Sequence, residues 1–162
     1  MFLARHGLGV ELPGGWDGRI YRPAADEPGA TTRAVMHAAN FPLPERREDY
    51  GGGAVEVMRA GDVLVMLLEF DPEAATTPLF AQRQGLPRRL PASAFGPNRL
   101  QRILPGQAGA QFFFTEGGRA WSLYVVLGSW ARRVALAEQA SKLLASVRLD
   151  QVGQANQVGS TP

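Results

Sequence analysis

The sequence predicts an α+β fold: an antiparallel β-sheet with helices packed against it, closed by a C-terminal amphipathic helix. Three observations carry this expectation. Residues 111–116 (QFFFTE) and 120–127 (AWSLYVVL) are β-rich runs on either side of Gly117-Gly118, and a glycine pair supplies the positive φ angles of a two-residue hairpin turn. Residues 63–68 (VLVMLL) are apolar at every position, as in a central strand covered on both faces. Leu136, Ala140, Leu143, Leu144 and Val147 recur at spacings of three and four, which is the period of one helix face.

The remaining elements follow in chain order. Leu8, Val10 and Leu12 alternate with Gly9 and Glu11, predicting a half-buried strand that Pro13-Gly14-Gly15 ends before Trp16. Residues 18–21 read as a short return strand and 22–31 as a loop rich in Pro, Ala and Gly. Residues 33–41 predict a strand with Val35, His37, Ala39 and Phe41 on one side and Met36 and Ala38 on the other. A short helix is the alternative there, because alanine is a weak strand former; Pro42 and Pro44 end the element either way. A charged cluster at 45–49 (ERRED) and three glycines at 51–53 lead into a strand at 54–59. A tight turn at Ala60-Gly61-Asp62 joins that strand to the apolar one at 63–70, making a hairpin.

Asp71-Pro72 has the form of a helix start, Asp71 as N-cap and Pro72 in the first turn. Thr77-Pro78 restarts a short helix that ends at Gly85. From there to Gly106 the prolines at 87, 91, 97 and 105 predict turns and loops, with one strand near 98–103. In the main hairpin the glycine loop sets the register: Glu116 faces Arg119, Thr115 faces Ala120, Phe114 faces Trp121 and Phe112 faces Leu123. Phe112, Phe114, Trp121, Leu123 and Val125 then form one wall, and Phe113, Tyr124 and Val126 the other. Both walls are apolar, so both faces are expected to be covered, and the Glu116–Arg119 pair suits an exposed sheet end. For the helix at 131–145, Ser129 is the candidate N-cap. Val134 and Ala137 edge its apolar stripe, Arg132, Arg133, Glu138, Gln139 and Lys142 face water, and Glu138–Lys142 is an i,i+4 pair. Residues 146–149 extend the helix or form a last short strand.

A chain of 162 residues suits one domain with a real core, here residues 1–149, followed by a disordered polar tail at 150–162. There is no cysteine, which excludes a disulfide framework, a thiolate metal site and a cysteine nucleophile. No apolar run approaches the length of a membrane span, and the first residues (MFLARHGLGVELP) hold none long enough for a signal peptide, so a cytoplasmic location is the default expectation. Charge is unevenly placed. No acid lies between Glu73 and Glu116, whereas Arg83, Arg88, Arg89, Arg99 and Arg102 all do. These five are the candidate surface for an anionic partner. The competing reading is that they are solvated, or meet the acidic N-terminal half of the chain or a second copy in a homo-oligomer. The segment lacks the interleaved aromatics and the helical basic stripe of nucleic-acid binders, which argues against nucleic acid.

The chemistry-bearing motifs are missing. The glycines at 51–53 are followed by no Gly-Lys-Ser/Thr, no GxGxxG opens a helix, and no GxSxG occurs. His6 and His37 match no zinc spacing. Glu69 and Asp71 sit two apart at a strand end and so share a face, where they could hold a cation or work as acid and base, although a solvated strand end is the ordinary role. Trp16 and Tyr21 could mark a ligand surface, but core anchoring explains them. No cofactor, metal site or catalytic residue is therefore expected.

The order of elements resembles the PsbP-like fold, shared by the extrinsic photosystem II subunit, Ran-binding nuclear import factors and many bacterial proteins. The strand that ends in Leu12-Pro13-Gly14-Gly15-Trp16 carries part of this resemblance. The rest lies in the final aromatic hairpin and the helix ending Leu143-Leu144-Ala145-Ser146-Val147-Arg148. It spans residues 8–149 and implies a bacterial domain with a binding or accessory role rather than catalysis; no functional residue carries over. The expected function is a non-enzymatic module that binds another protein. The alternative is a helix-grip domain, in which the C-terminal helix closes over a curved sheet and the gap carries a small apolar ligand, lined by the aromatics at 112–114, 121 and 124.

Overall fold

The apolar run at 63–70 forms the middle strand of the molecule. The computed structural model describes residues 1–25, 28, 32–45, 53–100 and 103–150. Its strands are β1 (Phe2–Arg5), β2 (Leu8–Glu11), β3 (Asp17–Tyr21), β4 (Val35–Ala39), β5 (Val63–Phe70), β6 (Ala108–Glu116), β7 (Arg119–Leu127) and β8 (Arg148–Leu149). Its α-helices are α1 (Ala54–Val57), α2 (Pro78–Ala81) and α3 (Arg133–Ala145). Five strands make one antiparallel sheet in the order β3-β4-β5-β7-β6, and β1-β2-β8 make a second, smaller one. The α+β class expected from the sequence is the class observed.

Strand periodicity divides the larger sheet into two buried faces. Val63, Val65 and Leu67 of β5 join Trp121, Leu123, Val125 and Leu127 of β7 in one core, together with Leu136, Leu143 and Leu144 of α3 and Leu8 and Val10 of β2. Leu64, Met66 and Leu68 join Tyr124 and Val126 in a second core beneath α1, with Val35, Ala39 and Phe41. Both walls of the hairpin are thus covered, as the sequence requires, and each large side chain fully buried in this way contributes about 1.5–3 kcal/mol. The hairpin register is the one fixed by Gly117-Gly118: Glu116 opposes Arg119, Phe114 opposes Trp121 and Phe112 opposes Leu123. The two glycines have φ of 62° and 77°, the left-handed pair that a two-residue I′ turn demands.

Several expectations are corrected. Residues 54–59 do not form a strand. Both edges of β5 are taken by β4 and β7, so the segment has no edge to pair with, and residues 54–57 wind into the single turn α1 instead. The hairpin with 63–70 is therefore absent. No strand forms at 98–100, where the chain turns; Gly96 bridges Gly109 of β6, and Pro97, which cannot donate to a ladder, ends that pairing. Asp71 precedes a 3-10 turn (Pro72–Thr76) but does not cap it; its Oδ1 accepts from Arg33 Nε at 3.1 Å. Ser129 is not the N-cap of α3. Trp130 N donates to Gly106 O at 2.7 Å, a turn intervenes, and Arg132 occupies the cap position with no side-chain bond. Strand β1 (Phe2–Arg5) is an element that the sequence does not predict. Asp150 is bound rather than part of a tail, its N–H donating to Gly7 O at 2.9 Å. Residues 151–162, and most of the ERRED cluster, lie outside the described residues.

One side chain joins the two sheets. Arg119 is 8% exposed, and all five of its N–H donors are used. Nε and Nη2 donate to Glu69 Oε2 and Oε1 at 2.8 and 3.0 Å. Nη1 donates to Gly7 O and Asp150 O at 3.1 and 3.2 Å, and Nη2 to His6 O at 3.1 Å. The guanidinium also stacks over Trp121, 4.5 Å from the ring centroid. Glu69 and Arg119 belong to the large sheet, whereas His6-Gly7 is the β1–β2 turn and Asp150 follows β8. The turn needs φ of 53° and 77°, and a Cβ on Gly7 would lie 2.5 Å from Arg119 Nη1. The expected exposed Glu116–Arg119 pair is thus replaced by a buried Arg119–Glu69 pair, and Glu116 Oε1 accepts Leu86 N instead.

Removing one member of such a pair strands the other charge. Arg119→Ala is expected to lower unfolding free energy in urea by about 3–5 kcal/mol. Arg119→Lys should recover little of that loss, since three donors cannot serve five acceptor contacts.

Candidate functional site

The arginine-bearing stretch is a strap along the outer edge of β6. It meets that edge through the Gln84–Thr115 and Gly96–Gly109 bridges, about 20 Å apart at the rise of a strand. Leu86, Leu90 and Phe95 anchor it in the first core and Leu100 in the second. The predicted arginines are therefore spread along the strap. Arg83 is exposed and lies over the Phe112 ring at 5.1 Å. Arg88 turns inward, and its Nη1 donates to Leu144 O and Val147 O at 2.8 and 2.7 Å, closing the carbonyl end of α3 where a cation is favoured. Arg89 and Arg99 are exposed. Among the described residues Arg83, Arg89 and Arg99 join no ion pair; Arg102 lies outside them.

Glu69 and Asp71 are not brought together as a carboxylate pair. Glu69 is held by Arg119 and Asp71 by Arg33. Trp16 packs against the first core and Tyr21 lies in the second, so both are anchors. Among the described residues no cluster of three or more His, Cys, Asp or Glu could hold a metal ion, and no helix is long and apolar enough to cross a membrane.

Sequence reasoning missed a row of side chains, polar except for Met66, across the second face of the large sheet. Arg19 pairs with His37, His37 with Met66, Met66 with Tyr124 and Tyr124 with Gln111, so one side chain from each of the five strands falls in line. His37 is 1% exposed. Its Nδ1 lies 3.4 Å from Arg19 Nη2. A guanidinium only donates, so in this contact Nδ1 is the acceptor. Tyr21 meets the imidazole edge-on at 5.6 Å. Arg19 Nη1 also donates to Pro44 O at 2.7 Å, and Gln111 Nε2 to Ser122 Oγ at 3.1 Å. Alternation at 33–41 placed His37 correctly beside Val35 and Ala39. The row itself needs the order of all five strands, which no local pattern carries.

The space that a helix-grip carrier would need, between α3 and the sheet, is occupied by Trp121, Leu123, Leu136, Leu143 and Leu144, each 3% exposed or less. Two open grooves lie instead on the outer side of α3. One is bordered by Gly61, Arg132 and Ala135 and the other by Arg89, Pro91 and Ala137. No protein family, curated protein or solved structure matches the chain.

Arg88 and Arg89 are neighbours with opposite roles. Arg88→Ala is expected to cost about 1–3 kcal/mol in urea unfolding, through two lost charge-assisted bonds, and Arg89→Ala to change stability by less than about 0.5 kcal/mol. His6 supplies a pH dependence. Burial, then the charges of Arg22 and Arg5, lower its pKa from 6.5. The unfolded state then takes up the proton first, so stability is complete above pH 6.5 and declines as pH falls from there toward the lowered folded value. His6→Asn, which tolerates the left-handed turn, should flatten that part of the stability–pH curve.

Proposed function

We propose that this is a non-enzymatic accessory domain that binds a protein partner through an acidic face on that partner, with the strap at 82–100 as the contact. The observation that carries the reading is that Arg83, Arg89 and Arg99 stand exposed on an acid-free segment and join no ion pair among the described residues, while Arg88 of the same segment is spent on the fold. Exposed cations of one sign steer an oppositely charged partner and raise its association rate. Their spacing suits an extended protein surface better than a single small anion. The likeness to PsbP-like accessory proteins enters this proposal on its sequence motifs alone, and a cytoplasmic location enters it as the default expectation.

The test is a charge reversal that leaves Arg88 in place. In cross-linking and co-purification from the source organism, Arg83→Glu/Arg89→Glu/Arg99→Glu should lose an acidic partner that the wild type and an Arg22→Glu control both retain. Undiminished recovery by the triple variant would remove the strap from the interaction.

A further inference from the structure

The outer edge of β6 is open between the two places where the strap meets it. In an antiparallel ladder the N–H and C=O of one residue point to the same side, and successive residues alternate. Gly109 and Thr115 both turn outward. Gly109 exchanges bonds of 3.0 Å with Gly96, while Thr115 N donates to Arg83 O at 3.0 Å and Thr115 O accepts from Gly85 N at 2.7 Å. Gln111 and Phe113, at alternate positions between them, therefore turn their own N–H and C=O outward. Among the described residues no backbone group is bonded to them on that side. Residues 86–95 do not answer them, because they cross toward α3, where Leu90 N donates to Ser141 Oγ at 2.9 Å and Arg88 reaches the last carbonyls.

An exposed strand edge is a template for another strand, and proteins commonly blunt it with a bulge, a proline or a charge. None of these interrupts β6. Its register with β7 runs unbroken from Ala108 to Glu116, and Gln111, Phe112 and Phe113 are half-buried. The strap decides what can enter. At each bridge it stands one strand's width, about 4.8 Å, outside β6, so the open stretch is recessed between two stops. A second copy carries the same recess, and two recessed edges cannot meet; a single extended segment can reach in. Charge then selects that segment. Arg83 lies over the Phe112 ring at 5.1 Å, on the side of the first core. Arg99 lies against Gly96, where a Cβ would come 2.8 Å from Arg99 Cγ. Opposed residues share a face, and a Cβ on Gly109, the partner of Gly96, would meet Leu100 of the second core. The two arginines thus flank the recess on opposite faces, and both attract acid.

We propose that this recess takes an extended acidic segment of a partner protein, which adds a strand to the five-stranded sheet by main-chain bonds to Gln111 and Phe113 and sets carboxylates against Arg83 and Arg99. Main-chain bonds supply the affinity in such strand addition, and the flanking side chains supply the specificity. Side chains of a strand alternate between faces, so the two carboxylates are an odd number of residues apart. The inference rests on the acidic-partner reading above and adds the form in which the partner binds.

The probe is a fluorescein-labelled synthetic peptide, Thr-Val-Glu-Glu-Val-Thr, titrated with the full chain and followed by fluorescence anisotropy. N-methylation of both valine amides keeps the charge and should weaken binding about tenfold or more. Replacing both glutamates by glutamine keeps the main chain and should weaken it about tenfold. Hydrogen exchange should slow at the Gln111 and Phe113 amides when the unmodified peptide binds. Gln111→Pro removes an outward donor that the ladder with β7 does not use; it should weaken the unmodified peptide and leave thermal unfolding near the wild type. Equal affinity for the N-methylated peptide would overturn the edge contact and leave the arginine contact standing. Equal affinity for the glutamine peptide would overturn the acidic partner in both proposals. No binding of the unmodified peptide, or a dimer of the free protein that Gln111→Pro dissolves, would also overturn the inference.

Discussion

The guanidinium of Arg119 is the point at which the two sheets become one structure. Each sheet alone is a familiar arrangement, a five-stranded antiparallel sheet and a small three-stranded one. What joins them, besides shared apolar packing, is a buried cation that gives two hydrogen bonds to the Glu69 carboxylate and three to backbone carbonyls of His6, Gly7 and Asp150. A buried charge is tolerable only when its charge and its donors are both answered, and here both are. The turn at 6–7, the ends of β5 and β7, and the residue after β8 must all be in place for that to hold. This interdependence accounts for the small turn residue at Gly7, for a carboxylate at an otherwise apolar strand end, and for the order found at Asp150.

The second constraint is that the large sheet is covered twice. Strand β5 is apolar at consecutive positions because α3 and the small sheet take one face, while α1 and the turn near Leu100 take the other. The second cover crosses the row that runs from Arg19 to Gln111, polar except for Met66. There the His37 imidazole sits beside the Arg19 guanidinium, Nδ1 to Nη2 at 3.4 Å.

Patterns within one element were legible in the sequence. The Gly117-Gly118 loop sets the hairpin register to the residue, and the period of two then assigns Phe112, Phe114 and Trp121 to one face. The period of three and four picked out Leu136, Ala140, Leu143 and Leu144. Failures came wherever the answer depended on a distant partner. Residues 54–59 have strand-like composition, yet β4 and β7 already flank β5. Phe2–Arg5 forms a strand because Leu8–Glu11 is there to pair with it. Ser129 has the chemistry of a cap, but Trp130 is pulled to Gly106. Arg119 was assigned to its hairpin neighbour Glu116, when Glu69 offered a dry, bidentate partner from an adjacent strand. The candidate site divides along the same line. The absence of acids between 73 and 116 is visible in the sequence, whereas the inward turn of Arg88 beneath the last carbonyls of α3 depends on tertiary packing.

Function therefore has to be sought on surfaces that the fold does not consume, the exposed arginines of the strap first among them. They rest on a scaffold whose integrity is attributed to the Arg119 clasp. Hydrogen exchange on an Arg119→Met variant measures that attribution most directly. The account predicts lost protection concentrated in residues 1–12 and 147–150, while β5 and β7 stay protected up to global unfolding. Uniform loss across both sheets, or unchanged protection at the 6–7 turn, would contradict it.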